Sequence, residues 1–68
     1  MTTVDARGYS CPEPVIMTRK ALMSKEAEYT VLVDNTASRE NVTRYAEHQC
    51  YKVRVAEADG VYTLTLKK

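Results

Sequence analysis

The stretch of this chain best suited to chemistry is Ser10-Cys11-Pro12-Glu13-Pro14. It sets a cysteine at the predicted start of a helix, with proline at the next position and again two further on. Proline is favoured at the first helical position, because its fixed φ suits the turn and its missing N–H would have had no intrahelical partner. Cys11 then falls on the N-cap, Pro12 on N1 and Pro14 on N3. Two of the four orphan donors are absent, which leaves the Glu13 N–H as the donor best placed for the sulfur. A thiolate accepts that bond better than a thiol, so the thiol is expected to titrate below the roughly 8.5 of a free cysteine. The helix dipole contributes about 0.3–1 kcal/mol to this when exposed and up to about 2 when partly buried. Arg7, in the preceding loop, would add to it, whereas Glu13 carries the wrong sign. A second register is open, in which Ser10 and Glu13 form a capping box and Cys11 moves to N1. The first is preferred, because Pro14 at N4 would forfeit a helical hydrogen bond.

The elements that must position this cysteine follow from the chain taken in order. Thr2 to Asp5 forms a short strand with Val4 inward, and Arg7-Gly8-Tyr9-Ser10 is a loop with glycine available for a positive φ. The helix runs to about Ser24, with Val15, Thr18, Ala21 and Leu22 on its inward stripe and Arg19 and Lys20 outside it. Ile16 and Met17 lie off that stripe and predict an apolar flank near the cysteine, a candidate docking surface with Arg7, Arg19 and Lys20. Tyr29 to Val33 is the strongest strand signal, ended by Asp34-Asn35, which offers a cap to a second helix. Val42, Tyr45, Ala46 and Gln49 share one face of that helix, which ends near Cys50. Tyr51 to Glu57 alternates as a strand with Tyr51, Val53 and Val55 on one side, Asp59-Gly60 is a hairpin turn, and Val61 to Leu66 closes the sheet.

The pattern is βαβαββ, an α+β fold. Right-handed crossovers put both helices on one face of the sheet, giving a two-layer α/β sandwich. The C-terminal ends of the first two strands and the N-termini of both helices then share one edge, where such sheets usually bind ligands. Cys11, Asp34, Asn35 and Thr36 gather there, so Asp34 and Asn35 are candidate edges of the site as well as strand end and cap. Cys50 falls at the opposite edge, too far for a disulfide to Cys11.

Composition bounds the function. The 68 residues make one domain, 1–68, and its 44% hydrophobic and 28% charged content excludes disorder. Ten basic and nine acidic residues leave a net charge of +1 with no basic stripe, so nucleic acid is not expected as a direct partner. No apolar run approaches the roughly 18 residues of a membrane span, and no signal-peptide pattern opens the chain. Two cysteines make no secreted disulfide framework. A cytoplasmic monomer is expected. His48-Gln49-Cys50 lacks the further clustered ligands that a metal requires, and no cofactor is expected.

Asp5-Ala6-Arg7-Gly8-Tyr9-Ser10-Cys11-Pro12-Glu13-Pro14-Val15, with Thr18 and Ala21-Leu22, resembles the TusA (SirA-like) family, whose signature is Cys-Pro-x-Pro opening a helix. Val31 to Asn35, Glu40-Asn41-Val42 and Gly60 to Leu66 are similar to the N-terminal domain of YedF-type members, associated with selenium metabolism. The resemblance implies a four-stranded mixed sheet of order 1-2-4-3, its last strand antiparallel to the rest. It also implies a persulfide on Cys11, accepted from a cysteine desulfurase-type donor and passed to a thiol-bearing acceptor protein, in the best-known case toward tRNA thiolation. Cys50 stands where relatives often place glycine, which questions how the second helix ends. Two other classes compete with a sulfur carrier. A thiol-disulfide oxidoreductase usually has a Cys-x-x-Cys partner, missing here. A noncatalytic protein- or RNA-interaction module rests on fold analogy.

Overall fold

The computed structural model describes residues 2–9 and 13–68. In chain order it contains β1 (Thr2–Asp5), α1 (Glu13–Leu22), β2 (Glu28–Val33), α2 (Thr36–His48), β3 (Lys52–Ala58) and β4 (Val61–Lys67). The strands form one sheet of order β1-β2-β4-β3. β1 pairs parallel to β2, whereas β4 runs antiparallel to both β2 and β3. This is the expected βαβαββ sandwich.

Strict alternation builds the core. Val4 and Ala6, Tyr29, Val31 and Val33, and Leu64 and Leu66 all point to the helical layer and are buried. Val42 and Ala46, one turn apart on α2, close over them. With no tryptophan or phenylalanine in the chain, the largest buried ring is Tyr29. Its hydroxyl accepts the Glu26 N–H at 2.8 Å and lies 2.9 Å from the Ser24 hydroxyl, so the ring is buried without an orphaned polar atom. Tyr51 meets it edge to face, with ring centroids 5.9 Å apart.

Both junctions of α2 are made by specific residues. Asn35 is its N-cap, and the Asn35 Oδ1 accepts the Ser38 N–H at 2.7 Å. At the other end the Tyr51 N–H donates to the Ala46 carbonyl and the Cys50 N–H to the Glu47 carbonyl, each at 3.0 Å. That pair of bonds is a Schellman motif, and Cys50 occupies its left-handed position with φ +70°. The helix therefore ends as a glycine-terminated one would, at the expense of strain at Cys50. At the hairpin, Asp59 (φ +52°) and Gly60 (φ +78°) both take positive φ, the type I′ turn that Asp-Gly predicts.

Several boundaries and facings differ from the sequence reading. α1 stops at Leu22, and Met23 to Lys25 continue as tight turns whose N–H groups reach back to the Lys20, Ala21 and Leu22 carbonyls. The inward face of α1 is centred on Pro14 and Thr18 and takes in Met17, which packs against the core. Only Ile16 supplies the apolar flank expected of both. Gln49 is an exposed C-cap rather than part of the inward face of α2. Val55 is 42% exposed although it alternates with Val53, because on the edge strand β3 it lies beside α2, across an open groove from it, rather than beneath it.

Candidate thiol site

Cys11, Pro12 and the two helix-start registers lie outside the described residues, and both flanks of the motif are described. On the N-terminal side, the buried Ala6 extends the β1 ladder with its N–H on the Leu32 carbonyl at 2.8 Å. The chain then turns, with the Tyr9 N–H on the Ala6 carbonyl at 3.3 Å and Gly8 at φ +83°. Positive φ at the third residue of this turn is where glycine is needed. The Gly8 N–H donates to the Asp34 carboxylate at 2.8 Å, and the Asn35 amide donates to the Tyr9 carbonyl at 3.4 Å. Asp34 and Asn35 thus tie the loop entering the motif to the β2–α2 junction.

On the C-terminal side Glu13 is exposed in the first turn of α1, and Pro14 is buried. The Thr18 hydroxyl, also buried, donates to the Pro14 carbonyl at 2.8 Å. The loop end is therefore held by bonds to the β2–α2 junction, and the first turn of α1 by the burial of Pro14. Asp34 and Asn35, named from sequence as candidate site edges, hold the backbone in place.

Arg7 has a different role from the one its charge suggested. Its guanidinium makes two bonds of 2.8 Å to the Asp5 carboxylate, both side chains being about half-exposed. The Arg7 side-chain and backbone N–H bonds hold the Asp5 carboxyl down at about 2, and Asp5 and Asp34 raise Arg7 in turn. With Arg7 already paired and Asp34 and Glu13 on the same edge, the charged side chains described here do not sum to a positive pocket. Arg19 and Lys20 lie in the last turn of α1, six and seven residues beyond Glu13 and so about 9–10 Å along the axis. The apolar surface nearer the motif is Tyr9, 49% exposed, and Ile16, 36% exposed.

Cys50 is an exposed free thiol at the far end of α2, about 20 Å along the helix from the Asn35 cap. Among the described residues no three His, Cys, Asp or Glu side chains are grouped to hold a metal ion. No described helix is long and apolar enough to cross a membrane. Sequence reasoning missed Ser38, which is buried one turn into α2 with its hydroxyl unpartnered among the described residues. Its signal was available, since Ser38, Val42 and Ala46 recur every four residues on the inward stripe.

Comparison with known proteins agrees with this architecture. A family model described as sulfurtransferase TusA matches residues 2–68. A protein of Methanocaldococcus jannaschii, provisionally designated a sulfur carrier protein, is 35% identical over 71 residues, spanning 100% of this chain and 95% of that one. The crystal structure of a SirA-like protein from Desulfitobacterium hafniense superposes with a TM-score of 0.89 at 45% identity, covering 98% of this chain and 96% of that one.

Proposed function

Because the chain belongs to the TusA sulfurtransferase family, we propose that it is a sulfur carrier whose Cys11 is loaded as a persulfide and unloaded onto another protein's thiol. In the loading step the Cys11 thiolate attacks the outer sulfur of a donor cysteine persulfide. A sulfur–sulfur bond forms to Cys11 as the donor's sulfur–sulfur bond breaks, and the donor leaves as a thiolate. In the unloading step an acceptor thiolate attacks the outer sulfur in the same way and releases Cys11. Each step exchanges one sulfur–sulfur bond for another, so no external oxidant or reductant is consumed. The donor would be of the cysteine desulfurase type, and the only group carried is the covalent persulfide.

The observation that best supports this reading is the bracing of the Cys-Pro-Glu-Pro motif from both sides. Gly8 and Tyr9 are tied to Asp34 and Asn35 before it, and Pro14 is buried at its C-terminal end. Such bracing preorganises a reactive group for repeated encounters without a deep substrate pocket. The remoteness of Cys50 fits a carrier better than an oxidoreductase, which needs a resolving thiol close at hand.

The test is to incubate the protein with a cysteine desulfurase and free cysteine and weigh it intact. A reducible gain of one sulfur atom is expected on the wild type and on Cys50→Ser, with none on Cys11→Ser. Loading that survives in Cys11→Ser and disappears in Cys50→Ser would refute the assignment.

A further inference from the structure

β3 is an edge strand, paired to β4 alone. It runs seven residues, from Lys52 to Ala58, in unbroken register with β4 and without proline, glycine or bulge. Such an edge presents a row of free backbone donors and acceptors to any extended chain that reaches it. Its side chains alternate in character. Lys52 and Arg54 are exposed on the face of the sheet away from the helices, and neither has an ion-pair partner among the described residues. Across the open face the row reads Glu28, Lys67, Lys52, so one carboxylate faces two ammonium groups, and Lys52, at the outer edge, has only the like-charged Lys67 opposite it. On the helical face Val53 is half-buried, and Val55 is exposed in a groove of about 410 Å³ that it forms with Arg39, Glu40, Thr43, Arg44 and Glu47 of α2, whose charges balance.

We propose that β3 is the docking edge for an extended segment of a partner protein in which acidic and apolar residues alternate. The segment adds as a fifth strand, with backbone hydrogen bonds supplying affinity and side chains supplying register. Two carboxylates at alternate positions face Lys52 and Arg54, with Lys67 beside them. The intervening apolar residues cover Val53 and Val55. Glu57, on the helical face near the end of the strand, selects a basic or polar residue opposite it. A second copy of this chain fits the edge poorly. Each antiparallel register that keeps the sheet faces continuous opposes like charges or sets Val53 or Val55 against Glu57. The basic residues lie at the start of β3 and the end of β4, at the end of the sheet away from the Asp34–Asn35 edge. The partner can therefore be held while the motif edge stays open, and the proposal does not depend on the reactivity of Cys11.

The test uses a blocked peptide, Thr-Lys-Thr-Val-Glu-Val-Glu-Thr, titrated under reducing conditions into the isotope-labelled wild type and into Cys11→Ser. Saturable binding to both is expected, with slowed hydrogen exchange at the β3 amides that face away from β4. The double variant Lys52→Glu/Arg54→Glu should bind about tenfold more weakly, and a peptide with lysine in place of both glutamates should lose at least as much. The proposal is overturned if the peptide does not bind, or if a scrambled peptide of the same composition binds equally well. It is overturned too if oligouridylate binds the same residues more tightly than the peptide, which would mark a polyanion surface. Self-association of the chain through β3 that excludes the peptide would have the same force.

Discussion

Cys50 carries backbone strain that its side chain does nothing to relieve. It sits at φ +70° in the Schellman turn of α2, where only glycine is free of a Cβ penalty, and its thiol is exposed. Cys50→Gly is expected to stabilise the fold by about 1 kcal/mol, raising the melting temperature by roughly 4–8 °C for a domain of this size, as calorimetry would read. The sequence raised this question correctly, since a non-glycine residue was legible there, whereas the persistence of the left-handed turn was not. Asp5 gives a residue-scale prediction of opposite character. Arg7 lowers its carboxyl from 3.8 to about 2. Because the folded value is depressed, the pair favours the folded state above about pH 4 and its contribution is lost as pH falls toward 2. Carboxyl-carbon NMR should show Asp5 titrating near 2 in the wild type and higher in Arg7→Ala, though still below 3.8 because the backbone N–H at position 7 remains, with little change in stability at neutral pH because both groups are exposed.

Among the elements, the β2–α2 junction does two jobs with two residues. Asn35 caps α2 through its side-chain oxygen and holds the Tyr9 carbonyl through its amide, and Asp34 holds the Gly8 N–H. Asn35→Ala is expected to cost about 1 kcal/mol from the lost cap, seen as a lower urea midpoint. Asp34→Ala removes the exposed tether to Gly8 and the Asn35 amide's bond to the same carboxylate, and leaves the Asn35 cap. On the proposed function it should slow persulfide loading of Cys11 several-fold in single-turnover mass measurements while leaving the melting temperature nearly unchanged. The cap at Asn35 was legible because Asp-Asn follows a β-branched run. The bonds to Gly8 and Tyr9 were not, because they join positions 26 residues apart. The facing of α1 was legible only in part. Met17 packs against the core because it stands three residues after Pro14 and four before Ala21, on a face centred on Pro14 and Thr18, whereas a stripe drawn from Val15 leaves it out.

Taken whole, the molecule has one thin core and little reserve. A chain of 68 residues is expected to be stable by roughly 3–10 kcal/mol. Leu64, fully buried at the centre of β4 between Val31 and Val55, is a large part of that core. Leu64→Ala should cost about 2–5 kcal/mol, a large fraction of that stability, which a urea titration followed by circular dichroism would show as a lower midpoint. The sheet is covered on one face and open on the other, so its edge strands and uncovered face are the surfaces left for partners.

The sequence by itself determined the order of the elements, the inward alternation of β2 and β4, the Asn35 cap, the Asp59-Gly60 turn and the motif that names the family. These are local matters, set by side-chain period, by capping chemistry and by the few residues that accept positive φ. Only the tertiary structure decided that Arg7 is bound to Asp5, that Asp34 and Asn35 brace the loop before Cys11, and that Val55 lies beside α2 rather than beneath it. Those outcomes depend on which segments meet in space and on where α2 lies across the sheet, and no spacing along the chain encodes either.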